Sequence, residues 1–227
     1  MQPVNRKTNH RPIEKKKQKR IDRAVTPFPK AKDAQRVVSF DPGFNFGVCY
    51  LNKPERDLYI VGSSLRSRRK GERLPHVAAE YHDHVHHVLS KLEVESGSLG
   101  PSVLAFCEYP IPFYQASRES NASTNFMAGL MLASSNYRDA QLYCPGNVKD
   151  LPVWNAKGAG KEEAQAFWDA HDVHWLEPTS EALSHEIADK CGKFTDDMLS
   201  ALGILLCGMR YNGITMPQDI TVYAVNY

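Results

Sequence analysis

Three apolar runs, 36–41, 46–52 and 57–64, follow one another with only about four residues between each pair. A connection that short cannot return a strand to a parallel neighbour, so the three pair as an antiparallel meander. Gly43 and the stretch Asn52-Lys53-Pro54 mark the turns. Beyond residue 72 the pattern changes. A helical stripe of Val77, Tyr81, Val85, Val88 and Leu92 spans about 72–95, and an apolar strand follows at 102–108. A helix at about 122–137, a short strand at 141–144 and helices near 161–170, 180–190 and 196–210 complete the chain. This order predicts an α/β fold with a mixed five-stranded sheet flanked by helices.

Carboxylates stand at special places in that pattern. Asp41 ends the first run, Glu108 ends the run Val103-Leu104-Ala105-Phe106-Cys107, and Asp196 and Asp197 open the last apolar helix. A carboxylate at the exit of a buried strand is costly unless it is hydrogen-bonded, paired or bound to a cation. Converging groups of this kind suit a divalent-metal site for phosphodiester chemistry, and oxygen ligands favour Mg²⁺, with Mn²⁺ able to substitute.

The motifs around these acids resemble those of the RuvC-type Holliday-junction resolvases of the ribonuclease-H-like superfamily, over about residues 36–210. Asp41-Pro42-Gly43 with Gly47 is similar to the opening motif of that family. Glu108 precedes an aromatic-rich stretch, Tyr109 to Tyr114, similar to the loop that reaches the junction centre. Pro145 to Lys149 and Gly158 to Lys161 resemble the region with two DNA-contacting lysines, and Thr195 to Leu202 resembles the terminal acidic motif. The resemblance implies a metal-dependent crossover-junction endonuclease, a homodimer acting on branched DNA. Its catalytic and metal-binding residues would be Asp41, Glu108, Asp196 and Asp197. Lys149 and Lys161 would hold phosphates, and Phe113 and Tyr114 would stack on unpaired bases. One position departs from the family: Ser200 stands where a second acid is usual, so the fourth ligand is missing or displaced onto Asp196. Asp196 as a helix cap is the alternative.

Charge is divided unevenly along the chain. Residues 1–36 hold 12 Lys/Arg against three acids, and the rest holds 16 against 23. The first 35 residues therefore read as a basic flexible arm, with nucleic acid as its natural partner, ahead of a nuclease domain at 36–227. Arg66, Arg68 and Arg69 form a basic loop and are further candidates for DNA contact. Five cysteines with no Cys-x-x-Cys predict a reducing intracellular setting without disulfides or zinc, either cytoplasm or nucleoid, or a host cell if the chain is virus- or phage-encoded. No apolar run reaches 18 residues and the start lacks the apolar centre of a secretion signal, so neither membrane nor export is expected.

Other signals are weaker. A phosphate loop ending at Lys161 would need Gly at 155 and Ser or Thr at 162, where the chain has Asn155 and Glu162. An actin-like ATPase would need a second Asp-x-Gly, and none exists. His82 and His86 lie i, i+4 on a helix face that reads as solvated. A flap or fork nuclease, a ribonuclease H and a non-catalytic nucleic-acid-binding relative remain alternatives on the same fold.

Overall fold

The computed structural model describes residues 31–66, 68–96, 103–109, 118–134, 140–145, 151–176 and 195–227. Three strands come first: β1 (Arg36–Asp41), β2 (Asn45–Asn52) and β3 (Asp57–Ser64). Helix α1 (Leu74–Ser96), β4 (Val103–Glu108), α2 (Arg118–Ser134) and β5 (Ala140–Tyr143) follow. The chain continues with α3 (Ala159–Asp169), β6 (Val173–Trp175), α4 (Asp196–Tyr211) and β7 (Thr221–Asn226).

The strands form one sheet in the order β5-β4-β1-β2-β3-β7-β6. β2 runs antiparallel to both neighbours, as the short turns demand, and every other pairing is parallel. The five-strand part, β5-β4-β1-β2-β3, is the ribonuclease-H-like arrangement expected from the sequence. The expected strand count is corrected, because the sheet has seven strands and not five. β7 pairs with β3 along its whole length and β6 adds to its outer side.

Strand alternation sends successive side chains to opposite faces. On one face Val38, Phe40, Val48, Tyr50 and Val61 pack against Val77, Tyr81, Val85, Val88 and Leu92 of α1 and Met127 and Met131 of α2. On the other, Val37, Leu51, Ile60, Leu104 and Phe106 pack against Met198, Ala201, Leu202 and Leu205 of α4 and Ala164 of α3. Each fully buried Val, Leu, Ile, Phe or Met among them contributes roughly 1.5–3 kcal/mol. Ala31 is buried on the second face and the partly buried Ala34 packs there too. The basic stretch before them lies outside the described residues. The four described cysteines are buried and none of them forms a disulfide with another described residue, and no helix among the described residues is long and apolar enough to cross a membrane.

Candidate active site

The period of two that builds the core also aims the acids. Asp41 shares a face with Val37 and Ser39, and Glu108 shares the same face with Leu104 and Phe106. β1 and β4 are parallel neighbours with Phe40 opposite Cys107, one residue before each acid. Both carboxylates therefore leave the sheet side by side, toward the layer of α3 and α4.

Two features bring the start of α4 to them. The Ser39 hydroxyl donates to the Ala201 carbonyl at 2.7 Å, tying the helix to β1. Gly47 on β2 lets the helix backbone come close, since a Cβ there would sit 2.1 Å from the Asp197 carbonyl oxygen. Thr195 caps the helix, its Oγ1 accepting from Met198 N at 3.3 Å. The alternative reading of Asp196 as the cap is not met, because the cap lies one residue earlier, and Asp196 and Asp197 occupy the first turn, where the helix dipole favours negative charge.

Electrostatics identify which acids meet. Asp41 is held well above the usual carboxylate range, first by burial, then by the charges of Glu108 and Asp197; a Ser200 hydrogen bond and Lys161 oppose this. Glu108 is pushed up to about 7, mainly by burial, against the stabilising hydrogen bond from Trp154 and the charge of Lys161. Trp154 Nε1 donates to Glu108 Oε2 at 2.8 Å. Asp41, Glu108, Asp197, Ser200, Lys161 and Trp154 thus form one constellation drawn from β1, β4, α4, α3 and the segment before α3.

Asp196 does not join it as an acid. Lys161 Nζ grips both its oxygens, at 2.8 and 2.7 Å, and the Asp196 side chain is 77% exposed. The fourth-ligand expectation therefore finds Asp196 paired with a cation on the rim. Ser200, at the position where the sequence leads one to expect an acid, instead gives its hydroxyl to Asp41. Trp154 was not anticipated at all, although a tryptophan just ahead of Gly158-Ala159-Gly160-Lys161 was visible in the sequence.

The expected nucleic-acid contacts fare differently. Lys161 stands at the site. Lys149, Phe113 and Tyr114 lie outside the described residues. The basic loop leaves β3 at the same end of the sheet as Asp41, with Leu65 N bonded to Phe44 O at 2.7 Å. Within it, Arg66 is engaged by Glu80 at 2.6 Å and Glu72 at 2.9 Å, which makes it a poor candidate for phosphate contact. Arg68 lies over the Phe44 ring at 5.8 Å, and Arg69 is exposed.

No family profile matches the chain, and no curated protein matches it in sequence. Solved structures similar to it include two of RuvC. Thermus thermophilus RuvC in complex with a Holliday junction substrate is 14% identical with a TM-score of 0.43, covering 81% of this chain and 99% of that one. A second Thermus thermophilus RuvC structure is 16% identical with a TM-score of 0.40, covering 80% and 99%. Residue roles here rest on the geometry of this chain itself.

The raised Glu108 carboxyl has a consequence for stability. A carboxyl whose folded pKa lies above its unfolded value contributes stability that is fully present below about pH 4.5 and is lost as pH rises through about 7. Glu108→Gln, neutral at every pH, should therefore be more stable than wild type at pH 8 in EDTA, by about 1–3 kcal/mol. Near pH 4 the two should converge, and Asp41, raised in the same direction, keeps part of the slope in the variant. Urea unfolding at both pH values checks this; a variant weaker than wild type at pH 8 contradicts it.

Proposed function

We propose that the chain is a metal-dependent endonuclease that cuts branched DNA, a four-way junction above all, as a symmetric dimer. One observation carries the proposal: Asp41 and Glu108 leave adjacent parallel strands at the same end of the sheet, on the face where the start of α4, with Asp197, packs against Gly47.

The donor set fits a hard divalent cation, being carboxylate oxygen throughout. Asp41, Glu108 and Asp197 would hold Mg²⁺ or Mn²⁺. As the side chains stand, no three His, Cys, Asp or Glu groups among the described residues enclose a single ion position, so sharing one takes side-chain rotation. When bound, such ions supply an activated water and neutralise charge on the attacking and leaving oxygens.

The protein's own groups divide the remaining work. The Ser200 hydroxyl orients Asp41. Lys161, close enough to act on Asp41 and Glu108, offers positive charge to the scissile phosphate, which fixes register without reading sequence. The branched-DNA substrate is supported by the order of motifs: Asp41-Pro42-Gly43, Glu108 with its aromatic-rich follower, Lys161, then Asp197 before Ser200-Ala201-Leu202. Paired cuts on two strands related by a two-fold axis call for two sites related the same way.

The test is a panel of labelled four-way junction, flap, plain duplex and RNA–DNA hybrid incubated with Mg²⁺ or Mn²⁺. Paired symmetric nicks in the junction are expected. Preference for flap or hybrid would move the substrate while keeping the chemistry, and no cleavage of any substrate would leave a binding protein.

The two neighbouring acids of α4 should behave differently. Asp197→Asn should lose at least about 100-fold in cleavage, because its charge belongs to the cluster. Asp196→Asn should lose less than about tenfold, since an exposed ion pair contributes only about 0–1 kcal/mol. Single-turnover rates of the two variants decide it, and equal large losses would restore Asp196 to the acid cluster.

A further inference from the structure

We infer that Trp154 is a positioning residue for Glu108, and that the crossing of α3 and α4 is built around its indole. The inference rests on the nuclease assignment above and names a residue that the acidic motifs do not contain. Glu108 ends a strand, and a glutamate there has freely rotating torsions unless something fixes its carboxylate. Trp154 Nε1–H supplies a single directional donor at 2.8 Å.

The indole is itself held on several sides. A Cβ on Gly160 would stand 2.2 Å from the Trp154 carbonyl oxygen and 2.8 Å from its Cε3. A Cβ on Gly203 would stand 2.8 Å from its Cζ3. Two helices thus each present a glycine where the ring passes, and neither position has a positive φ to account for glycine. The backbone is fastened too: Trp154 N donates to Cys144 O at 2.9 Å, and Cys144 N donates to Pro152 O at 2.8 Å, just beyond β5. Trp154 is 3% exposed. Burying an indole normally requires only some partner for its N–H. Here that partner is the one group of β4 that faces the acid cluster, on a ring fixed by two helices and a strand extension.

Trp154→Phe keeps an aromatic ring in the slot and removes the donor. Single-turnover junction cleavage and calorimetric Mn²⁺ binding, on wild type and variant at matched pH, test the inference. Partners of this rank change metal affinity or activity by about 10–100-fold. The expected result is a rate lower by about that factor at saturating DNA, an Mn²⁺ midpoint about tenfold higher or more, and unchanged KM for DNA. Should the smaller ring unfold the protein, 3-benzothienylalanine at position 154 carries the same test, because it keeps the bicyclic shape and lacks only the N–H. Wild-type rate and Mn²⁺ midpoint in a folded variant overturn the inference, as does a loss confined to KM. If wild-type protein itself neither binds Mn²⁺ nor cuts DNA, the nuclease assignment fails first, and the role of Trp154 in it falls with it.

Discussion

Asp41→Asn should abolish junction cleavage, by about a thousandfold or more, while binding of the uncut junction stays intact or tightens. Asp41 is the acid that meets both of the others, so removing its charge disables the cluster from its centre. A thousandfold corresponds to about 4 kcal/mol of transition-state stabilisation, within the several kcal/mol that metal-assisted charge neutralisation supplies. Binding should survive because Lys161 is untouched and one negative charge near the phosphates is gone. The fold should survive as well: a buried anion repelled by Glu108 and Asp197 is replaced by a neutral group of equal size. In EDTA at pH 8 the variant should melt at or above the wild-type temperature. Cleavage and melting measured on one preparation separate chemistry from unfolding; cleavage within tenfold of wild type would remove Asp41 from the centre of the site.

The second large effect lies away from the acids. Gly47→Ala should cost about 3 kcal/mol of stability and most of the cleavage. Its added Cβ would meet the Asp197 carbonyl oxygen at 2.1 Å, the Asp197 carbonyl carbon at 2.6 Å and the Ala201 Cβ at 2.9 Å. Two of those three atoms are backbone, so no rotamer change relieves the overlap and α4 must move away from β2. Overpacking of this kind costs typically 1–3 kcal/mol, occasionally more. At about 2–4 °C per kcal/mol, melting should fall by roughly 6–12 °C. The displaced start of α4 carries Asp197 and, one turn on, Ser200, so cleavage should be lost even where the variant is still folded. Wild-type melting would mean that β2 and α4 are farther apart than these contacts require.

The same contact shows what a sequence can and cannot convey. Period and turn spacing located the strands closely: β1 and β3 have the expected limits, and β2 begins one residue early. The α1 stripe from Val77 to Leu92 is buried as expected, because a 3.6 period reports one buried face wherever its partner lies. β7 was missed although Pro217 and Asp219 precede the β-favouring run Thr221-Val222-Tyr223-Ala224-Val225, a legible turn-and-strand signal. β6, with only three residues, carries too little pattern to read.

At the site, Asp41, Glu108 and Asp197 were legible because a carboxylate at an element end is chemically unusual. The roles of Asp196, Ser200 and Trp154 were not. Each depends on a partner far along the chain: Lys161 for Asp196, Asp41 for Ser200, Glu108 for Trp154. Such pairings come from the crossing of α3, α4 and the sheet, which no local spacing encodes. Arg66 makes the same point in reverse. Its basic loop suggests DNA, and two glutamates, Glu72 just ahead of α1 and Glu80 on it, take up its guanidinium.

In the proposed nuclease, Asp41, Glu108 and Asp197 together would hold the divalent ion that drives cleavage. Calorimetric titration of Mn²⁺ into wild type and into Asp41→Asn, without DNA, tests it most directly. Saturable binding by wild type and at least a tenfold loss of affinity in Asp41→Asn are predicted, with Asp196→Asn close to wild type. Equal Mn²⁺ affinity in wild type and Asp41→Asn would contradict it.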